Sequence, residues 1–309
     1  MMKFIYVQDT HIKGINPINR KGSYYEDIMA KLTEVLELAN GNNVDYIIHG
    51  GDLFDSSNVS NIMVDEFIDE VEQTGIPFYI VPGNHDEIGH NWELSKSSSL
   101  AHIFRRSKLI KELTLLWDEG GVINGFKYYH NIEQTLAGEK GLICSHPNSP
   151  FKIATIHALI TKAPLMPSIM HIPIKEVKTD FDVVLVAHNH LQWSIIEQNG
   201  TKFVNIGALG RTGIDEADIT PTVALIDTET REIRLIPLKS AKPKEVVFDL
   251  EKVAQKKQFD GEIDKFISSL DSAKFQSLDL RGLIEFLSKK NNIEKEVKDE
   301  VIRRIGENE

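Results

Sequence analysis

Five short, β-rich apolar runs in this chain each stop directly before a cluster of Asp, His, Asn or Gly: FIYV at 4–7, DYIIH at 45–49, FYIV at 78–81, KIATI at 152–156 and DVVLV at 182–186. Runs of this kind, alternating with longer segments of helical period, predict an α/β domain. In such folds the loops at strand ends carry the chemistry. Between the first two runs, residues 23–39 place Ile28, Leu32, Val35, Leu36 and Ala39 on one face, which predicts a crossover helix, and residues 60–73 repeat the arrangement. After residue 190 the texture changes to WSIIEQ, KFVNIG, TVALIDTET and EIRLIPL, separated by Asn-Gly and Thr-rich turns. That texture predicts an antiparallel meander and a second sheet.

The 309 residues, 41% hydrophobic, suffice for one large domain and a small appendage. AKPKE, beginning at Ala241, has linker composition; EVVFDL at 245–250 predicts one strand, and a charged helical pattern follows. The division expected is a catalytic domain over residues 1–239 and a capping or partner-binding α+β module over 240–309. Leu280, Leu283, Ile284 and Leu287 form an amphipathic stripe in that module.

A net charge of −11 argues against non-specific coating of nucleic acid, which draws on many Lys and Arg contacts. It does not exclude a nuclease, because two bound divalent cations would add about four positive charges where a phosphate sits. No run approaches the roughly 18 apolar residues of a membrane span, and the polar start MMKFIYVQDTH lacks a signal-peptide core. A cytoplasmic protein is expected. Cys144, the single cysteine, reads as a small buried hydrophobe.

Asp9 and His11 follow the first run two positions apart, which on an extended backbone points both side chains one way. Asp52 follows the second in HGGDLFD, where Gly50 and Gly51 permit a tight backbone. Asn84 and His85 follow the third in VPGNHDE, His157 closes KIATI, and His188 and His190 follow DVVLV in AHNH. Each alone is a weak signal; their delivery by five strands in succession is not. A carboxylate such as Asp52 can bridge two divalent cations roughly 3.5–4 Å apart, while imidazoles and one amide complete the sites without excess negative charge. Water acidified there attacks phosphorus in line. His85, beside Asn84, is placed as an acid, with Asp86 as the group that would hold its ring charged.

The ordered set D-x-H, GD-x-x-D, GNHD, a later single His and a final H-x-H resembles the calcineurin-like metallophosphoesterases over roughly residues 3–240. GGDLFDSS and VPGNHDE are most similar to the SbcD-type DNA-repair exonucleases, whose bacterial members carry an aspartate where Asp55 stands. The resemblance implies a four-layer α/β/β/α sandwich of two mixed sheets flanked by helices. It implies two divalent metal ions, manganese in both positions, and exonuclease and single-strand endonuclease activity on DNA. Residue by residue it assigns Asp9, His11, Asp52 and His190 to one metal and Asp52, Asn84, His157 and His188 to the other, with His85 as the acid and Asp55 beside the scissile phosphate. Ala187 stands where the family prefers glycine before H-x-H. Full-length members carry a DNA-capping domain and a segment that docks on an SbcC-type coiled-coil ATPase, which the residues after Leu238 cannot easily both hold, so the chain resembles phage-type minimal members. Homodimers through helices beside the GNHD region are also implied, with residues 62–71 as the apolar face.

For DNA-backbone contacts the candidates are Arg105 and Arg106, with Lys108 and Lys111, and Lys13, Arg20 and Lys21 after the first ligands. His90, with Trp92, is placed to touch a base or sugar. His49, His102, His130, His146 and His171 match no motif position and are expected in core or surface roles. The metal set fixes phosphate-ester hydrolysis but not the ester, so a small-molecule phosphodiesterase or phosphoprotein phosphatase is the alternative, and a non-catalytic partner-binding scaffold the second.

Overall fold

The computed structural model describes residues 1–89, 93–138, 141–255, 258, 261, 284–285, 288–289 and 293–306. It divides into two compact units, Met1–Val247 and Phe248–Glu309. The first unit is built on two six-stranded mixed sheets. The first sheet is, in order, Glu232–Pro237 (β14), Thr222–Asp227 (β13), Lys3–Val7 (β1), Tyr46–His49 (β2), Phe78–Ile80 (β3) and Ile110–Glu112 (β4). The second is Ser194–Gln198 (β11), Thr201–Asn205 (β12), Val183–Ala187 (β10), Lys152–His157 (β7), Gly121–Phe126 (β6) and Leu115–Asp118 (β5), and Ile160–Thr161 (β8) pairs with Ile172–Pro173 (β9) apart from them. Their central strands are β1 (Lys3–Val7), β2 (Tyr46–His49), β3 (Phe78–Ile80), β7 (Lys152–His157) and β10 (Val183–Ala187). β1, β2 and β3 run parallel in the first sheet, and β7 and β10 run parallel in the second.

The period-2 rule explains the layering. In β1, Phe4 and Tyr6 face the second sheet, joining Ile48, Ile153, Val183, Leu185 and Val204 in a core between the sheets. Ile5 and Val7 face the other way, into a core with Ile28, Leu32 and Val35 of α1 (Tyr24–Gly41) and Val64, Phe67 and Val71 of α2 (Asn61–Thr74). Val184 and Val186 of β10 turn outward to Ile132 and Leu136 of the short helix Ile132–Ala137. The result is a four-layer α/β/β/α sandwich. Both predicted crossover helices form, with Ser23 and Ser60 as N-caps accepting from Glu26 N and Ile62 N.

Three expectations change. The meander after residue 190 is two hairpins, one in each sheet. β11 (Ser194–Gln198) and β12 (Thr201–Asn205) turn through Asn199 and Gly200, both at positive φ (52° and 83°), and extend the second sheet beside β10. β13 (Thr222–Asp227) instead crosses to pair antiparallel with β1, and β14 (Glu232–Pro237) follows it. The segment expected as strand EVVFDL opens as a short helix, Lys244–Val247, because Pro243 presets a helical start and its carbonyl accepts from the N–H groups of Val246 and Val247. Finally, Val64, Phe67, Ile68 and Val71 are buried in the first sheet's own core, so residues 62–71 offer no apolar face for a dimer beyond the exposed Ile62.

The second unit contains the helix Lys295–Gly306, with Val297 and Val301 buried. Of the predicted stripe, Leu280, Leu283 and Leu287 lie outside the described residues, and Ile284 is buried. Among the described residues no helix is long and apolar enough to cross a membrane.

Candidate metal centre

The C-terminal ends of the parallel strands of both sheets meet at one place. The loops after β1 and β2 are zipped together by Asp9 N to Gly51 O (3.1 Å), His11 N to Asp52 O (3.0 Å) and Ile12 N to Leu53 O (2.9 Å). Asp9, His11, Asp52 and His188 all have positive φ, at 48°, 46°, 53° and 78°. Asp9 and His11 therefore converge through left-handed turns, not through the alternation of an extended strand. Non-glycine residues in that region are uncommon and cluster at functional sites, where the surrounding fold holds the strain. Gly51 (φ 113°) is required where it stands: a Cβ there would lie 2.4 Å from His157 Nδ1. At Gly50 a Cβ would lie 2.8 Å from the Ala187 methyl, so the bare Gly50 makes room for an alanine before H-x-H.

These turns gather one ligand atom each from Asp9, His11, Asp52 and His190 within 4.8 Å of one another, and likewise from Asp52, His157 and His188. Asp52 belongs to both groups. Asn84 joins the second, its Oδ1 lying 3.0 Å from His157 Nε2. His11 Nε2 and His190 Nε2 face each other at 3.0 Å. The whole predicted ligand set is thus brought together, and a third group, His11, Asp55 and His85, adjoins it.

The carboxylates show what the site is built to hold. Gln8 Nε2 and His188 N donate to Asp9 Oδ2 at 2.9 and 3.1 Å, while Asp9 Oδ1 is buried without a hydrogen-bond partner. His85 N donates to Asp52 Oδ1 at 2.9 Å, while Asp52 Oδ2 is buried and likewise unpartnered, 3.4 Å from His157 Nε2 and 3.7 Å from His11 Nε2. In each case one oxygen is pinned and the other is aimed into a ring of imidazole nitrogens. A buried, unpartnered carboxylate oxygen is costly, so the donor set fits a pair of divalent cations sharing Asp52. Imidazole and carboxylate donors suit manganese or zinc.

The charges are coupled accordingly. Burial would raise Asp52, but the imidazoles of His157 and His11 hold its carboxyl well below the usual range. Burial opposes and Asp52 overcomes it to lift His157 to about 9; burial and the neighbouring His157 push His188 down to about 3. His157 Nδ1 is oriented by Gly50 O at 2.9 Å.

His85 is exposed at the mouth, edge-on to His11 at 4.9 Å, and its Nδ1 lies 2.7 Å from the backbone oxygen of Asp55. Asp86 does not serve as the ring's partner. Its buried carboxylate accepts from Asp52 N (3.0 Å) and Gly83 N (2.8 Å), stapling two ligand loops. The Asp55 carboxylate pairs with Lys13 Nζ at 3.0 Å and lies 3.4 Å from His11 Nδ1; against burial, His11 and Lys13 hold it down to about 2. Arg20 is withdrawn from the surface: its guanidinium has no exposed area, donating to Asp27 at 3.0 Å and to Arg211 O at 2.7 Å. Arg105 and Arg106 are exposed at the end of the helix Ser99–Arg106, Arg105 donating to Lys96 O. His90 and Trp92 lie outside the described residues. His49 is a core histidine, facing Thr10 Oγ1 at 3.1 Å and lowered to about 3 by burial.

One functional neighbour escapes sequence reasoning. Glu216, in the turn Ile214–Glu216, is buried with its Oε1 2.5 Å from His190 Nδ1. No motif spacing links residues 190 and 216, and an Asp-Glu pair in a polar stretch carries no signal of its own.

The calcineurin-like phosphoesterase family model matches residues 2–192, and the chain belongs to that family, which makes it by class a metal-dependent hydrolase of phosphate esters. It is 24% identical over 218 residues to the DNA double-strand break repair protein Mre11 of Saccharolobus solfataricus, covering 67% of this chain and 54% of that protein. To the Mre11 of Methanococcus maripaludis it is 22% identical over 200 residues, covering 61% of this chain and 52% of that one. The uncharacterized metallophosphoesterase YhaO of Bacillus subtilis is 25% identical over 172 residues, with 52% and 41% covered. The chain thus spans about half the length of the curated relatives it matches.

Proposed function

We propose that this chain is a two-metal DNA nuclease of the repair or recombination type, acting as an exonuclease and single-strand endonuclease with manganese. The observation that carries the metal half is the position of Asp52, a member of both ligand groups with one orphaned oxygen aimed between them. The DNA half is supported by the two relatives named as double-strand break repair proteins. Asp9, His11, Asp52 and His190 would hold one cation and Asp52, Asn84, His157 and His188 the other. When bound, such cations supply Lewis acidity, drawing charge from a phosphoryl oxygen and acidifying water near neutral pH.

The chain's own residues do the rest. Asp52 and Asp9 keep their pinned oxygens fixed, so the free ones hold station without reorganising. His85 Nδ1–H donates a hydrogen bond to the Asp55 carbonyl and keeps its proton; with the ring doubly protonated from solvent, Nε2–H is the proton that would pass to the departing oxygen, leaving the ring neutral. The Lys13–Asp55 pair forms part of the rim, and Arg105 and Arg106 are the exposed cations for the DNA backbone. Residues 240–309 would act as a cap or as a docking module for an SbcC-type ATPase.

The test compares hydrolysis of linear duplex DNA, single-stranded circular DNA, a phosphopeptide and bis(p-nitrophenyl) phosphate at one manganese concentration. DNA cleavage with little phosphopeptide turnover is expected. A strong preference for the phosphopeptide overturns the nuclease reading.

A further inference from the structure

We propose that Glu216 is the positioning residue for His190, selecting the tautomer and ring plane in which Nε2 faces the first cation site. The two oxygens of Glu216 have separate tasks. Oε2 is held by the N–H groups of Thr212 and Gly213 (3.1 Å to the latter) and by Thr212 Oγ1 at 3.3 Å. Oε1 is left for His190 Nδ1, at 2.5 Å. The carboxylate is 3% exposed, so water does not compete for it.

An imidazole that ligates through Nε2 must carry its remaining proton on Nδ1. A carboxylate at Nδ1 selects that form, fixes the ring and raises the basicity of the opposite nitrogen. His190 Nε2 does point into the ligand group, 3.0 Å from His11 Nε2. His157, by comparison, is backed only by a backbone carbonyl, Gly50 O. His190 lies between His188, which directly follows β10, and a loop whose Ala208 N donates to His190 O at 3.0 Å. Glu216 lies beyond the residues 2–192 that match the family model, so its role is set by how the later loop folds back onto the H-x-H turn.

This inference rests on reading the group as a cation site and is independent of which ester is cut. The test titrates manganese calorimetrically into metal-free full-length chain: wild type, Glu216→Gln, His190→Ala and the double variant. Glu216→Gln keeps the side-chain shape and one acceptor oxygen. It is expected to weaken manganese binding about 10- to 100-fold, yet to add little once His190 is already alanine, since the effect runs through that ring. In zinc-loaded wild type, long-range proton–nitrogen spectra are expected to show His190 protonated at Nδ1, a readout that needs no variant to fold. Wild type that takes up no cation overturns the metal reading together with this one. Normal wild-type binding with unchanged affinity in Glu216→Gln, or a His190 proton on Nε2 in the zinc form, overturns the role of Glu216 alone.

Discussion

Asp52→Asn separates the charge of the shared carboxylate from its geometry. The amide keeps an oxygen for His85 N, which donates to Asp52 Oδ1 at 2.9 Å, and places an NH2 where the orphaned Oδ2 lies 3.4 Å from His157 Nε2. The first ligand group then retains Asp9, while the second, formed with His157, His188 and Asn84, loses its one carboxylate. A cation at about 100 times its dissociation constant stabilises the fold by about 2.7 kcal/mol. For a chain of this size each kcal/mol moves the melting temperature by roughly 2–4 °C, so wild type should gain roughly 5–11 °C on adding manganese. Asp52→Asn should gain under about 2 °C, and its cation-free melting temperature should fall below wild type because His157 loses its carboxylate partner. Hydrolysis should fall about 1,000-fold, the equivalent of losing about 4 kcal/mol of transition-state stabilisation. Calorimetry with and without manganese, alongside bis(p-nitrophenyl) phosphate turnover, reads both quantities. An undiminished manganese shift with turnover within tenfold of wild type would refute the idea that the two groups share this oxygen.

Three further outcomes are expected. His85→Ala should retain manganese binding but lose about 10²–10⁴-fold on DNA, whose alkoxide leaving group needs a proton, and far less on a nitrophenyl ester; equal losses on both substrates would remove His85 as the acid. Gly51→Ala, at φ 113° and with its Cβ 2.4 Å from His157 Nδ1, should cost about 2–5 kcal/mol in urea unfolding through backbone strain and overpacking. Lys31, on α1, is buried, donates to Leu209 O at 2.8 Å, and is lowered to about 7 by burial and by Arg211 and Arg20. Between that value and the unfolded lysine's, the unfolded chain holds the proton that the folded chain has released. Wild type should therefore gain stability relative to Lys31→Met as pH rises, by about 1.4 kcal/mol per unit at most. Urea midpoints for both proteins at pH 7.5 and 9.5 check this, and a difference that does not change with pH would contradict it.

Much of the site was legible because its parts are local. The D-x-H, GNHD and H-x-H clusters sit at strand ends, and strands announce themselves by short apolar runs. The approach of those clusters was less so. Asp9 and His11 looked like neighbours on an extended strand, yet they meet their partners through left-handed turns. Asp86 looked like the natural partner of the adjacent His85, but side chains one residue apart diverge, and Asp86 reaches instead to the N–H groups of Asp52 and Gly83. Arg20 is a cation in a polar loop by sequence and an internal guanidinium in the structure, because Asp27 on α1 and Arg211 O satisfy it there.

By itself the sequence determined the α/β class, the two crossover helices, and the identity and chain order of the candidate ligands, since periodicity and side-chain chemistry are properties of neighbours along the chain. Only the tertiary structure decided that the last two hairpins go to different sheets, that Asp86 staples the Asp52 and Gly83 loops, and that Glu216 backs His190. Each depends on which edge or turn comes near in space, and burial and hydrogen-bond satisfaction select that from distances no spacing in the sequence encodes.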